Sequence, residues 1–304
     1  MKRSSVTVLG AFCADATYRG SRQPRMGETV LMTSFALGPG GKGSNQAVAC
    51  GRLGAPTRFI SRLGDDAFAD LAERTWRDAG VEAHAPRDGA SYTGSAGIFV
   101  DDTSGDNAIG VAPGAANELT VEHVEAARMA IESASVFVSQ LETPLEATQR
   151  AFEIARAAGV ITILNPAPAA ELPDALVALC DWLTPNESEA ETLTGVPVHD
   201  DGGAERAARA LMERGAGGAV ITLGERGALV CTADGATHVP AQASGPVVET
   251  TGAGDAFNGG FAVALSEGQS PVEAARFGCA VAGMSVTRFG AAASMPTRDE
   301  IRSA

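Results

Sequence analysis

Short apolar runs of three to five residues alternate along this chain with stretches in which apolar positions return every three or four residues. The runs are Val6–Leu9, Thr57–Ser61, Val136–Ser139, Ile161–Leu164, Trp182–Thr184, Ala219–Thr222 and Ala228–Cys231. A strand covered on one face alternates apolar with polar, whereas a strand covered on both reads as a nearly continuous apolar run. The spacing predicts helices over Phe68–Ala79, Val121–Ile131 and Ala204–Arg214. Strand and helix in turn predict an α/β protein with a mostly parallel central sheet between two helical layers. Two segments break the rhythm. Thr29–Leu37 and Ser95–Gly110 read as antiparallel strands, the second folding about the polar turn Asp101–Asn107. On pattern alone, that second segment is an ordinary surface hairpin.

Composition narrows the possibilities without choosing among them. A chain of 304 residues, 45% hydrophobic, can bury a large core, as one α/β domain with an insertion or as two domains. No composition break, long linker, repeat or low-complexity tract marks a boundary. A formal charge of −14 argues against a general nucleic-acid or anionic-membrane surface. It leaves ATP open, because backbone amides, magnesium and a few cations can hold phosphate in an acidic protein. The cysteines at 13, 50, 180, 231 and 279 form no C-x-x-C pair and the four histidines are scattered. Reduced thiols in a cytoplasm are therefore expected, and a metal site built on nitrogen or sulfur is not. Met1-Lys2-Arg3 ahead of Val6–Ala14 imitates a signal peptide, but the run is short and Asp15 closes it, so a first buried strand is expected instead. Nowhere does an uncharged apolar stretch reach the roughly 20 residues that span a bilayer.

The chemistry begins at Glu249-Thr250-Thr251-Gly252-Ala253-Gly254-Asp255-Ala256-Phe257. Gly252 and Gly254 permit a tight turn and close backbone approach, and the first-turn N–H groups of the helix that follows favour an anion. Phe257, Phe261, Ala264 and Leu265 give that helix a buried face. A carboxylate at Asp255 would repel phosphate, yet it suits a base taking the proton of an attacking hydroxyl. It suits a helix N-cap equally well.

A second glycine cluster, Gly38-Pro39-Gly40-Gly41-Lys42-Gly43-Ser44-Asn45-Gln46, also lies between a strand-like run and a helix. It satisfies G-x-G-x-x-G, but it does not follow the first strand, and no acidic residue stands about twenty positions on at the end of a second one. Gly41-Lys42 is followed by Gly43 rather than Ser or Thr, which excludes a P-loop. Gly41, Lys42 and Asn45 read better as short-range donors to sugar hydroxyls. A solvated lysine on a glycine turn would explain Lys42 but not Asn45, which lies in an otherwise small, apolar helix.

Together the two clusters resemble the signature segments of the ribokinase (PfkB) family of carbohydrate kinases. The likeness extends in order through Gly10–Asp15, Gln140-Leu141-Glu142, Asn165-Pro166-Ala167-Pro168, Thr184–Ala190 and Ile221–Gly227, from about Val6 to Met295. It implies one ribokinase-like domain over 1–304, with lid segments at about 15–37 and 92–112 that cover the sugar and pair two copies into a homodimer. It implies ATP-dependent phosphorylation of the primary hydroxyl of a pentose, D-ribose first, with Asp255 as base and the amides of Gly252, Ala253 and Gly254 beside the phosphoryl group. Cys13, Asp15, Gly41, Lys42, Asn45 and Glu142 would face the sugar. Asn186, Thr222, Gly224, Glu225, Gly227, Gly254 and Cys279 would face ATP. Asn186 and Glu189 would hold Mg2+ through water, although helix capping also accounts for them. Glu249, Thr251, Ser285, Arg288, Gly290 and Ser294 would surround K+. Two departures stand out: Cys13 occupies a position where many ribose kinases have Asn, and Glu249 one where the motif usually has Asp. The first opens the way to deoxyribose, another pentose or a polyol. A nucleoside kinase or a catalytically silent sugar sensor are further alternatives, the former disfavoured by few aromatics and the latter by the retained Asp255.

Overall fold

The computed structural model describes residues 4–303. Among them, nine strands form the large sheet, in the edge-to-edge order Gly235–Val239, Ala228–Thr232, Gly218–Thr222, Trp182–Leu183, Ile161–Leu164, Val136–Ser139, Val6–Leu9, Thr57–Ile60 and Val81–His84. From Gly218–Thr222 to Val81–His84 every neighbour is parallel, and the first two strands close the other edge antiparallel. The uninterrupted apolar runs follow from cover on both sides. Val6 and Val8 join one core with helices Lys42–Arg52, Ala67–Asp78 and Ala253–Ser266. Leu9 and Phe137 join the other, beneath helices Leu145–Ala157 and Asp201–Glu213. The buried Thr7 is accommodated because its hydroxyl donates to the Ala130 carbonyl at 2.7 Å.

A separate four-stranded sheet, in the order Ser34–Gly40, Cys13–Gly20, Ser95–Asp101 and Asn107–Ala112, stands apart from the main one. Its second and third strands are parallel and its outer pairs antiparallel. The hairpin expected about Asp101–Asn107 is present, with the Asp101 carboxylate accepting from the amides of Thr103 and Ser104.

Three expectations need correction, and two edge strands of the main sheet were not expected. The strand expected over Thr29–Leu37 runs from Ser34 to Gly40, so the glycine cluster itself provides its end. Asp15 does not follow a parallel strand directly but lies inside the small sheet's Cys13–Gly20 strand. The helix expected over Val121–Ile131 is broken at Ala127, although Val124, Ala127 and Ile131 still bury one face. The strands Val81–His84 and Gly235–Val239 escaped notice because two of the first one's residues and two of the second's are exposed and polar or small, as edge strands permit. Met1–Arg3, where a signal peptide was considered, lie outside the described residues.

Candidate active site

Seven parallel strands of the main sheet point their carboxyl ends the same way, and residues just beyond three adjacent ones converge. Gln140, Asn165 and Thr184 each come immediately after a strand of the main sheet and are all buried. Open α/β sheets gather their ligands at this edge.

Against it lies the start of helix Ala253–Ser266. Gly252 caps it with φ of +79°, a conformation that glycine adopts without strain, and a Cβ there would sit 3.0 Å from Ala291. Asp255 is therefore not the N-cap but the third helical residue, 7% exposed and directed inward. Its Oδ2 accepts from Asn45 Nδ2 at 2.9 Å and its Oδ1 from Gln46 Nε2 at 3.0 Å. Burial raises the Asp255 pKa, while Lys42 and the two amide donors act to lower it. The Ala253 amide bonds the Thr250 carbonyl at 3.1 Å. The amides of Gly254 and Asp255, at the second and third helical positions, have no acceptor within the helix.

Helix Lys42–Arg52 approaches from the glycine cluster. Gly41, at φ of +87°, could not carry a side chain, since a Cβ would lie 2.6 Å from the Ala11 carbonyl oxygen. A Cβ on Gly40 would collide with the Asp15 carboxylate, which lies against that backbone. The Lys42 amide donates to Glu142 Oε2 at 2.8 Å. Burial first, then nearby carboxylates, push the acids of this wall up: Asp15 to about 6 and Glu142 to about 7, with Lys42 countering at Glu142. Burial, with Glu142 and Asp15 beside it, pushes the Cys13 thiol to about 12, so it stays protonated at neutral pH.

Two cavities share this floor. The smaller, about 160 Å³, is lined by Lys42, Asn165, Thr184, Glu189, Asp255 and Asn258 among others. The larger, about 680 Å³, is mostly apolar and is lined by Gly224, Glu225, Gly227, Phe257, Cys279 and Val286 among others. Asn186, Thr222 and Gly254 line both, so the two spaces meet beside Asp255. No side chain narrows the junction at Gly254, where a Cβ would meet nothing within 4 Å.

The Asn186 and Glu189 pair forms a capping box. Asn186 Oδ1 accepts from the Glu189 amide at 2.8 Å, and Glu189 Oε2 from the Asn186 amide at 2.9 Å. The capping alternative is thus realised, and both side chains still line the smaller cavity. Burial raises the Glu189 pKa. Around Glu249, Oε2 accepts from the Gly290 amide at 2.9 Å, joining the segment before the Asp255 helix to the loop after helix Pro271–Ser285. The hydroxyls of Ser285 and Ser294 donate to the carbonyls of Ala282 and Ala291. Thr251 and Arg288 belong to the same two segments, and the Arg288 guanidinium pairs with Glu300 at 2.6 Å.

Sequence reasoning missed Gln46, Thr184, Asn258 and the roles of Gln140 and Asn165. A signal existed: a polar residue directly after an apolar strand-like run, and Asn258 one turn beyond Asp255 on the same helix.

Comparison with known proteins agrees with this geometry. The sequence profile of the pfkB family of carbohydrate kinases matches residues 3–298. A ribokinase of Haemophilus influenzae is 40% identical over 299 residues, 98% of this chain and 97% of that protein. A deoxyribokinase of Salmonella typhimurium is 35% identical over 297 residues, 97% of this chain and 96% of the other. The structure of Arabidopsis thaliana ribokinase complexed with ribose and ATP superposes with a TM-score of 0.91 at 29% identity, covering 99% of this chain and 98% of that one. The protein is a carbohydrate kinase of the ribokinase-like α/β fold. Within that class, the chain belongs to the pfkB family.

Proposed function

We propose that this kinase transfers the γ-phosphoryl group of ATP to the primary hydroxyl of a pentose, converting D-ribose to ribose 5-phosphate. The observation that carries the reading is the meeting of the two cavities at Gly254, with Asp255 in the wall of the smaller one. Phosphoryl transfer needs in-line placement, charge neutralisation and an acceptor for the hydroxyl proton. Sugar held against the glycine cluster, between the carboxylates of Asp15 and Glu142, would present its hydroxyl to Asp255, which lines the small cavity together with Lys42. ATP in the larger cavity, along Thr222–Gly227 and Cys279, would place its terminal phosphate over the amides of Gly254 and Asp255 at the helix start. Lys42 opposes the rise that burial causes at Asp255 and adds positive charge to the same cavity. Lid segments 15–37 and 92–112 complete a single kinase unit over the sugar.

The Asn186 and Glu189 oxygens, hard donors beside the junction, fit a magnesium ion that keeps its waters, and such an ion would neutralise phosphate charge when bound. Glu249 with the backbone of Thr251, Ser285, Arg288 and Gly290, and with Ser294, fits a potassium site. Initial rates in potassium should exceed those in a bulky organic cation, and equal rates would remove the ion from the scheme.

A second reading has a specific support. Cys13 offers the sugar a neutral, weakly hydrogen-bonding thiol, and a deoxyribokinase stands among the relatives. A coupled assay over ribose, deoxyribose, fructose, polyols and nucleosides separates the readings. ATP consumption independent of any sugar would overturn both. In the small sheet, Asp15 and Thr17 share one face and Tyr18, Phe35 and Leu37 the other, where they are 44%, 57% and 47% exposed. A second copy would cover that apolar face, giving a homodimer of twice the chain mass by light scattering that Tyr18→Glu with Phe35→Glu converts to monomer. Five buried free thiols and dependence on ATP suit the cytoplasm.

A further inference from the structure

Behind Asp255 runs a chain of buried amides whose direction is fixed at both ends. Asp255 Oδ1 can only accept when ionised, so Gln46 must turn its Nε2 toward it, at 3.0 Å. The same Nε2 lies 3.1 Å from Asn165 Oδ1, while Asn165 Nδ2 donates to the Thr184 carbonyl at 3.0 Å, another group that can only accept. With its nitrogen so committed, Gln46 presents Oε1 to the opposite side, where Gln140 Nε2 donates at 2.6 Å. The Thr184 hydroxyl continues to Asn258 Oδ1 at 2.6 Å, and Asn258 Nδ2 returns to the Gly254 carbonyl at 2.9 Å, in the same helical turn as Asp255. Gln46, Gln140, Asn165 and Asn258 are each 6% exposed or less. Gln140 holds this pose although its own Oε1 is buried without a partner, in a space that only the bare backbones of Gly10 and Gly43 leave open.

We infer that Gln46 and Gln140 are positioning residues for phosphoryl transfer: Gln140 locks the Gln46 amide so that its donor end, never its carbonyl, faces Asp255. This rests on the proton-accepting role given to Asp255 above. An unlocked Gln46 could rotate its amide by half a turn and set oxygen against oxygen, which would disfavour the ionised carboxylate. The other charges facing Asp255 are Lys42 on the glycine-loop helix, Asp15 on the small sheet, Glu142 after strand Val136–Ser139 and Glu189 on the Glu187–Thr194 helix.

The test replaces the lock while keeping its shape. Gln140→Glu can accept but not donate when ionised, so it should invert Gln46, whereas Gln140→Met only removes the donor. For Gln140→Glu we expect kcat to fall about tenfold or more and the acid limb of kcat/KM to move up by about one pH unit, each unit being a factor of ten. KM for sugar and for ATP should change less than about threefold, and Gln140→Met should show a smaller change of the same kind. In an Asp255→Asn background neither substitution should lower the residual rate further, because the group they position is gone. Asp255→Asn alone tests the underlying role: a near-normal rate there overturns both ideas. If that single variant is impaired while Gln140→Glu, folded by its circular-dichroism spectrum, keeps wild-type kcat and acid limb, the lock alone is overturned. A loss that adds fully in the Asp255→Asn background also overturns it, because it would be structural.

Discussion

At the scale of single residues, the proposed base Asp255 would have to be ionised where burial opposes ionisation. Lys42, Asn45 and Gln46 supply what bulk water would otherwise provide, two hydrogen bonds and a positive charge. Asp255→Asn keeps the shape and removes the base, so kcat should fall by about 10²–10⁴ with KM for the sugar little changed. Steady-state kinetics check this, and a rate within a factor of a few of wild type would end the assignment. The importance of Asp255 could be read from glycines flanking a lone acid at a helix start. Its hydrogen-bonding partner Gln46 could not, since nothing in a helix's own periodicity says that the amide next to Asn45 also reaches a carboxylate 209 positions away.

At the scale of elements, helix Glu187–Thr194 shows one residue pair serving two ends. The Asn186 and Glu189 capping box satisfies amides that the helix start leaves free, and it also places both side chains on the cavity wall. Asn186→Ala should lower unfolding stability by about 1 kcal/mol in a denaturant titration. Asn186→Ser should keep most of the cap yet weaken magnesium–nucleotide binding, and unchanged nucleotide affinity in both variants would leave Asn186 with capping alone. Packing decides another element pair. Gly259 faces Ala49 so closely that a Cβ would lie 2.5 Å from the Ala49 side chain, and this contact brings Asn45 and Gln46 onto Asp255. The strand runs and helices were legible because burial on two faces leaves an unmistakable apolar record. The break at Ala127 was not, because both halves bury the same face and keep the period intact.

At the scale of the whole molecule, the clustering of acids sets a pH dependence. The folded-state pKa of Asp15 is raised from 3.8 to about 6 and that of Glu142 from 4.5 to about 7. Between the ordinary carboxylate range and these values the native state binds more protons than the unfolded chain, so stability from these groups is lost as pH rises through about 4 to 7. Glu142→Gln removes part of that loss while still accepting from the Lys42 amide. The Tm of the sugar-free variant should therefore gain on wild type as pH increases from about 5 to 8, and a constant difference would show that Glu142 is not strained by its burial. The sequence by itself determined the α/β class, the parallel core, the two glycine clusters and the candidate carboxylates, because apolar period, glycine placement and residue chemistry are local properties of the chain. Only the tertiary structure decided that Asp255 is an interior helical residue rather than a cap, that Asp15 rides on the small sheet, and that Gln46, Gln140, Asn165 and Asn258 form one circuit. Those facts depend on which distant backbones approach one another, and the distances are set by packing across the sheet, which local pattern does not encode.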